Sequence, residues 1–213
     1  MKIALLVSGQ IRYLNYASDS HKNLTSCFKK EDQLDTYIFT SIHDYYKFLG
    51  DDMVDVTFHP EQLKSILSKR FPNPRLIELD NQRIDRNTSN NAWVQYQRIE
   101  SIYNIASKTD DYDLFIRIRP DTFFTQKVEL PEIKENDVFC NIRVANNSNK
   151  TGMNDWFYIA GKEAAKKLMC CYSLYWGKTT LRGEDMLYQL LIDHKINIID
   201  SPRVTEILPE VYL

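Results

Sequence analysis

A single α/β domain, with a central mixed and mostly parallel β-sheet flanked by α-helices, is the fold class this sequence predicts. Three observations predict it. Apolar runs such as KIALLVSG (2–9) and LDTYIFTSI (34–42) are continuous rather than alternating, the pattern of strands buried on both faces in a parallel sheet. Segments of helical length and period separate such runs, which implies crossover connections. The length, 213 residues, suits one domain with a genuine core and requires no second one.

The elements follow in order. Between the first two strands, SDSHKNLTSCFKK (18–30) reads as a helix begun by Ser18 or Asp19, completing a β-α-β unit. HPEQLKSILSKRF (59–71) is an amphipathic helix with Leu63, Ile66, Leu67 and Phe71 on one face, and PRLIELD (74–80) is a third strand. SNNAWVQYQRIESIYNIASK (89–108), capped by Ser89 or Asn90, is the longest helical pattern and directs Trp93, Tyr96, Ile99, Ile102, Tyr103 and Ala106 towards a core. It feeds through TDDYD into the strand LFIRIR (114–119). DVFCNIRV (137–144) and DWFYIAG (155–161) are further strands, separated by the polar loop ANNSNKTGMN (145–154). KEAAKKLMCCYSLYW (162–176) and GEDMLYQLLIDHK (183–195) are helices, and INIID (196–200) is a last strand before an irregular tail.

Composition excludes several classes of function. Lys and Arg number 27 against 29 Asp and Glu, so no broad basic face for nucleic acid is implied and any anion must be held by a local cluster. No stretch approaches the roughly 20 apolar residues of a membrane span. Gln10 and Arg12 interrupt the first apolar run, so a signal peptide is not expected. Cys27, Cys140, Cys170 and Cys171 lack zinc spacing and suggest reduced thiols in a cytoplasmic protein. His21, His43, His59 and His194 show no metal-ligand spacing, and no dinucleotide, P-loop or serine-hydrolase motif occurs.

Ligands of open α/β sheets bind outside the carboxyl ends of the strands. SGQIR places Gly9, Gln10 and Arg12 there, the glycine permitting close approach and the others donating to base, ribose or phosphate. TSIHD adds Thr40, Ser41, His43 and Asp44. In RIRPD, Pro120 ends strand pairing and presents Asp121 on a stiff turn, where a carboxylate suits Mg²⁺ or Mn²⁺ shared with substrate phosphates. Arg119 either pairs with Asp121 or binds a phosphate. Gly183 precedes Glu184 and Asp185 at a helix start, where one carboxylate caps the helix and the other faces a reacting centre, or both cap. Asn154, Asp155 and Trp156 combine hydroxyl-binding groups with an aromatic face, a mixture that suits sugars, although Trp156 also reads as core.

KIALLVSGQIR, YDLFIRIRPDTFF, NDWFYIAGKEAAKKL and GED together resemble the GT-A glycosyltransferases that assemble capsular, lipopolysaccharide and viral-capsid glycans, over nearly the whole chain. RIRPD resembles their Asp-x-Asp metal motif, with Arg119 in place of the first aspartate. The resemblance implies one GT-A-like domain over 1–213, nucleotide-binding up to about 125 and acceptor-side beyond. It implies transfer of a sugar from a UDP-sugar to a glycan or glycoprotein hydroxyl with Mn²⁺ or Mg²⁺. Gly9, Gln10, Arg12, Thr40, Arg98 and Arg119 would then bind the nucleotide, Asp121 the metal, and Glu184, Asp185 or Asp155 would activate the acceptor. A non-catalytic carbohydrate- or nucleotide-binding module and a nucleotidyltransferase are the alternatives.

Overall fold

The computed structural model describes residues 1–11, 14–47, 53–82, 90–144, 151–179 and 183–207. In chain order the elements are β1 (Lys2–Gly9), α1 (Leu14–Ser20), α2 (Lys22–Thr25), β2 (Gln33–Ser41), β3 (His43–Lys47), β4 (Met53–Thr57), α3 (Pro60–Arg70), β5 (Pro74–Asp80), α4 (Asn90–Thr109), β6 (Leu114–Ile118), β7 (Thr122–Phe124), β8 (Asp137–Val144), β9 (Thr151–Gly161), α5 (Lys162–Leu168), α6 (Cys171–Tyr175), α7 (Gly183–Asp193), β10 (Asn197–Asp200) and β11 (Thr205–Ile207).

Seven strands form the central sheet in the order β10-β8-β9-β6-β1-β2-β5. β1 runs parallel to β2 and β6, β2 to β5, and β8 to β10. β9 alone runs against its neighbours β6 and β8. The α/β class with a mixed, mostly parallel sheet is therefore as expected. Side chains alternate across β1: Ala4 and Leu6 face the layer of α4 to α7, whereas Ile3, Leu5 and Val7 face Leu14, Leu24, Leu63 and Leu67 on the opposite side. Each face thus has its own core.

The topology places a crevice. From β1 the chain moves outward through β2 to β5, and then α4 returns it to β6 on the other side of β1. The segments that leave β1 and β6 pack on the same face, α1 against β7, and the carboxyl ends of β1 and β6 lie side by side where the strand order reverses, the usual ligand position in such sheets.

Several elements differ from the sequence reading. The first helix begins at Leu14 and turns at His21 into α2, so Ser18 and Asp19 lie near its end and not at its start. Ile11, Leu14, Ala17 and Leu24 form the buried stripe that sets this register. On α3, Leu63 and Leu67 are buried but Ile66 is 37% exposed, because it lies about 100° around the helix from Leu67. The segment 162–176 is two helices: Cys170 leaves helical geometry, and Ser173 restarts α6 by donating from its backbone N–H to Glu100 Oε2 of α4 at 2.9 Å. Residues 151–154, read as loop, begin β9, with Met153 paired to Ile142 and Thr151 to Val144. Residues 145–150 lie outside the described residues. The β3/β4 hairpin and the β7/β11 pair, which uses part of the supposedly irregular tail, were not anticipated. Among the described residues no helix is long and apolar enough to cross a membrane.

Candidate functional site

At the carboxyl end of β1, Gly9 has φ of 137°, and a Cβ there would lie 3.1 Å from Arg119 Cγ. The glycine lets the end of β6 close on β1; it accommodates a protein side chain as well as any ligand. The Thr40 hydroxyl donates to the Gly9 carbonyl at 2.6 Å, so Thr40, 1% exposed, braces the crevice floor. Asp44 Oδ2 accepts the Ile11 N–H at 2.6 Å and fixes the exit from β1. Gln10 Oε1 accepts from Arg119 Nη2 at 3.4 Å. Arg12 lies outside the described residues.

Arg119 and Asp121 resolve one of the open alternatives. Arg119 donates from Nε to Asp121 Oδ1 at 2.9 Å and from Nη2 to Oδ2 at 2.7 Å, a bidentate pair in which the aspartate is fully buried. Its backbone holds the turn as well: the Arg119 N–H donates to Trp156 O at 3.1 Å, and the Thr122 N–H returns to Arg119 O at 3.1 Å. Both oxygens of Asp121 are engaged by a cation. Among the described residues no group of three or more His, Cys, Asp or Glu is placed to hold a metal ion. This donor set, as folded, does not fit a divalent cation at Asp121.

Two more guanidinium groups lie on the α4 side of the sheet near this end. Arg117, 1% exposed, points from β6 to Trp156 O at 3.1 Å and Gln95 Oε1 at 3.3 Å, both neutral acceptors. Burial lowers its pKa from the ordinary value, Asp155 opposes that shift, and Arg119 adds to it. Arg98 of α4, 2% exposed, grips both oxygens of Asp80 at 2.8 Å and lies over the Phe39 ring.

Four buried side-chain polar atoms find no hydrogen-bond partner among the described residues: Ser8 Oγ, Tyr96 Oη, Arg98 Nη1 and His21 Nδ1. Such atoms are uncommon and costly, roughly 1–3 kcal/mol each and more when charged. The first three belong to the α4 side of the sheet's carboxyl end. Ser8 pairs in register with Phe39, the ring over which Arg98 lies, so two orphan donors share Phe39 as a neighbour. Only His21 lies on the opposite face, between Phe71 and Phe124.

A second cluster surrounds the start of α7. Arg143 of β8 stacks on Trp156, its Cζ 4.1 Å from the ring centroid, and reaches Glu184 Oε1 at 3.4 Å. Burial raises the Glu184 pKa above the usual carboxylate value; Arg143 opposes the shift, while Asp155 and Asp185 add to it. Gly152 admits the helix: a Cβ there would lie 3.1 Å from Glu184 Cβ and 3.5 Å from Asp185 Oδ1. Asn154 Oδ1 accepts the Trp156 N–H at 2.8 Å, which serves the strand's local geometry. At Gly183, with φ of 43°, an added Cβ would lie 3.7 Å from the orphan Tyr96 hydroxyl.

The structure thus brings Gly9, Gln10, Thr40, Arg119 and Asp121 together, and separately gathers Asp155, Glu184 and Asp185. Arg98 joins the first group through Phe39 and Asp80. Ser8, Asp80, Gln95, Tyr96, Arg117 and Arg143 were not named as site residues. Arg117 and Arg143 carried a signal, a charge inside the apolar runs LFIRI and DVFCNIRV; the others depend on contacts between distant segments. No protein-family model matches this chain, and a search of curated proteins finds no significant relative.

Proposed function

We propose that this protein is a glycosyltransferase that moves a sugar from a nucleoside diphosphate sugar, UDP by the resemblance of its motifs, to a hydroxyl of a glycan acceptor. The observation that carries the reading is the concentration of buried guanidinium groups and orphan donors at the switch-point crevice. Among the described residues, Arg98 Nη1 and Ser8 Oγ find no acceptor, and Arg117 finds neutral ones. A ligand rich in carbonyl and phosphate oxygens supplies what they lack. Diphosphate leaving develops negative charge, which the guanidinium groups of Arg98 and Arg117, held in place by Asp80 and Gln95, stabilise without reorganising.

The acceptor half is the cluster around α7. Deprotonating a hydroxyl as it attacks the anomeric carbon needs a carboxylate of adequate basicity, and Glu184, whose pKa burial raises, supports that role. Asp155 and Asp185 lie close enough to perturb it and provide further acceptors for sugar hydroxyls. Cytoplasmic residence belongs to the same proposal.

Calorimetry with UDP, in Mn²⁺ and again in EDTA, tests the donor half. Binding weakened about tenfold or more by Arg98→Met is expected, since a charged hydrogen bond contributes about 1.5–3 kcal/mol. Absence of UDP binding under both conditions would refute the reading. Binding seen only with Mn²⁺ would overturn the conclusion that the Arg119–Asp121 pair leaves no place for a divalent cation. Slow UDP-sugar hydrolysis without acceptor, lost in Glu184→Gln, separates an enzyme from a binding module, and release of UDP rather than pyrophosphate separates it from a nucleotidyltransferase.

A further inference from the structure

The seven-stranded sheet ends at β10, whose inner side pairs in parallel with β8. The Asn197 N–H donates to Asn136 O at 3.0 Å and the Ser201 N–H to Cys140 O at 2.9 Å, so the odd-numbered residues here face β8. In a parallel strand the N–H and C=O of one residue point to the same side, and those of the next residue point to the other. The backbone groups of Ile198 and Asp200 therefore point outward, where no strand pairs with them among the described residues. Asn197, Ile198 and Asp200 are exposed.

Sheet edges are normally blunted against further pairing. β5, at the other end of the sheet, opens on Pro74, carries Arg75 and Glu78, and is half-buried apart from Arg75. β10 has neither proline nor lysine and is flanked by apolar surface. Ile198 is 37% exposed, and Ile192 on the last turn of α7 is 53% exposed, more than any other large hydrophobic residue among those described. Both lie on one side of the sheet, because Ile198 pairs in register with Val138, which shares a core cluster with Leu187, Leu190 and Leu191 of α7. The Lys195 N–H donates to Ile192 O at 3.2 Å and ties the helix end to the turn into β10. Charge is divided between the ends of the strand: Lys195 precedes it, and Asp200, whose Oδ1 accepts the Ile142 N–H at 3.3 Å, finishes it.

We infer that β10 is a self-association surface, on which β10 of a second copy of this chain adds antiparallel across a two-fold axis at Ile198. Each Ile198 then exchanges backbone hydrogen bonds with its counterpart, the Ile192 side chains flank the pair, and each Lys195 comes to the Asp200 end of the other copy. The strand's own sequence selects this register. Centring the axis on Ile199 instead would set Ile198 against a carboxylate and carry the lysines past the end of the other strand. Because β10, β8, β6 and β1 run in one direction, the axis puts the two crevices at opposite ends of the joined sheet, and association needs no nucleotide. A four-residue strand makes a small contact, of the weak and reversible class.

Sedimentation velocity of the full chain without nucleotide, from about 1 to about 200 μM, tests this, with amide hydrogen exchange at both extremes. The parent chain should shift from monomer towards dimer, and its Ile198 and Asp200 amides should exchange about threefold or more slower at the high concentration. Ile198→Pro removes the outward N–H and leaves the ladder to β8 intact, so it should stay monomeric with the parent's thermal midpoint. Ile198→Lys, which sets two charges face to face, should do the same. Lys195→Glu should weaken association about threefold or more, and the double variant with Asp200→Lys should restore it. A parent chain that is monomeric throughout would overturn the inference. A dimer that persists in both Ile198 variants, or whose Ile198 amide exchanges at one rate at every concentration, would do so too, since another surface then joins the copies.

Discussion

Asp121 illustrates how a residue's surroundings reassign its role. On an open turn, aspartate to asparagine would cost little stability. Here the carboxylate is fully buried and bidentate with Arg119, so Asp121→Asn leaves a buried guanidinium without its counter-charge. Breaking such a pair typically costs about 3–5 kcal/mol, and urea unfolding should show a loss of that order. A smaller loss, under about 1 kcal/mol, would mean that the pair is dispensable to the fold. His21 makes a second residue-scale case. Burial pushes its pKa down to about 4, with Thr122 O and Asp121 opposing, and Nδ1 finds no partner among the described residues to welcome a proton. The unfolded chain binds that proton near pH 6.5, the folded one only near 4. Stability is therefore intact above pH 6.5 and falls between there and about pH 4, by roughly 3 kcal/mol in total. His21→Phe should flatten that part of the stability-pH curve, measured by urea unfolding across the range; an unchanged curve would place the acid sensitivity elsewhere.

Elements show the same dependence on remote contacts. Gly161 joins β9 to α5 with an ordinary φ of −66°, so its necessity is steric. An added Cβ would lie 2.0 Å from Lys134 O and 2.7 Å from Glu135 O, and Glu135 O also accepts the Glu163 and Ala164 N–H groups that open α5. Gly161→Ala must displace that backbone. It should destabilise by at least the roughly 1–3 kcal/mol of an overpacked core, visible as a lower thermal midpoint with UDP binding retained in the folded fraction. The elements most legible in the sequence were those whose own pattern decides them. LFIRI, DVFCNIRV and PRLIELD are apolar runs bounded by breakers, and α4 has twenty residues of clean helical period. Less legible were elements decided by a distant partner. The break at Cys170 depends on Glu100, β7 on β11, and the start of β9 on β8. The site divides likewise. Gly9, Gln10, Arg119 and Asp121 were marked by breaking the apolar pattern, whereas Ser8, Tyr96 and Asp80 became site residues only once α4 was laid across the sheet.

At the scale of the whole molecule, the two ends of the sheet are built on opposite terms. At the amino end, buried Asp35 accepts from Gln33 Nε2 at 2.7 Å, Tyr112 Oη at 2.8 Å, Asn73 Nδ2 and Arg75 Nε, while Tyr37 and Tyr112 share a hydroxyl contact at 2.8 Å. These donors, Gln33 and Arg75 foremost, hold the Asp35 pKa below its ordinary value against the burial that raises it. The polar groups there are satisfied by one another. At the carboxyl end, Ser8, Tyr96 and Arg98 keep atoms that find no partner among the described residues. A satisfied network supports the fold, whereas a binding site sacrifices some stability for groups that await a ligand. A matched pair of substitutions separates the two. Tyr112→Phe removes two hydrogen bonds and should cost about 1–3 kcal/mol in urea unfolding, with no change in UDP affinity. Ser8→Ala removes an orphan hydroxyl, so stability should stay level or rise by up to about 1 kcal/mol, while UDP binding weakens by a factor of about 2–10. If Ser8→Ala instead destabilises the fold and leaves UDP affinity untouched, its hydroxyl serves the fold and not a ligand, and the nucleotide reading loses one of the groups on which it depends.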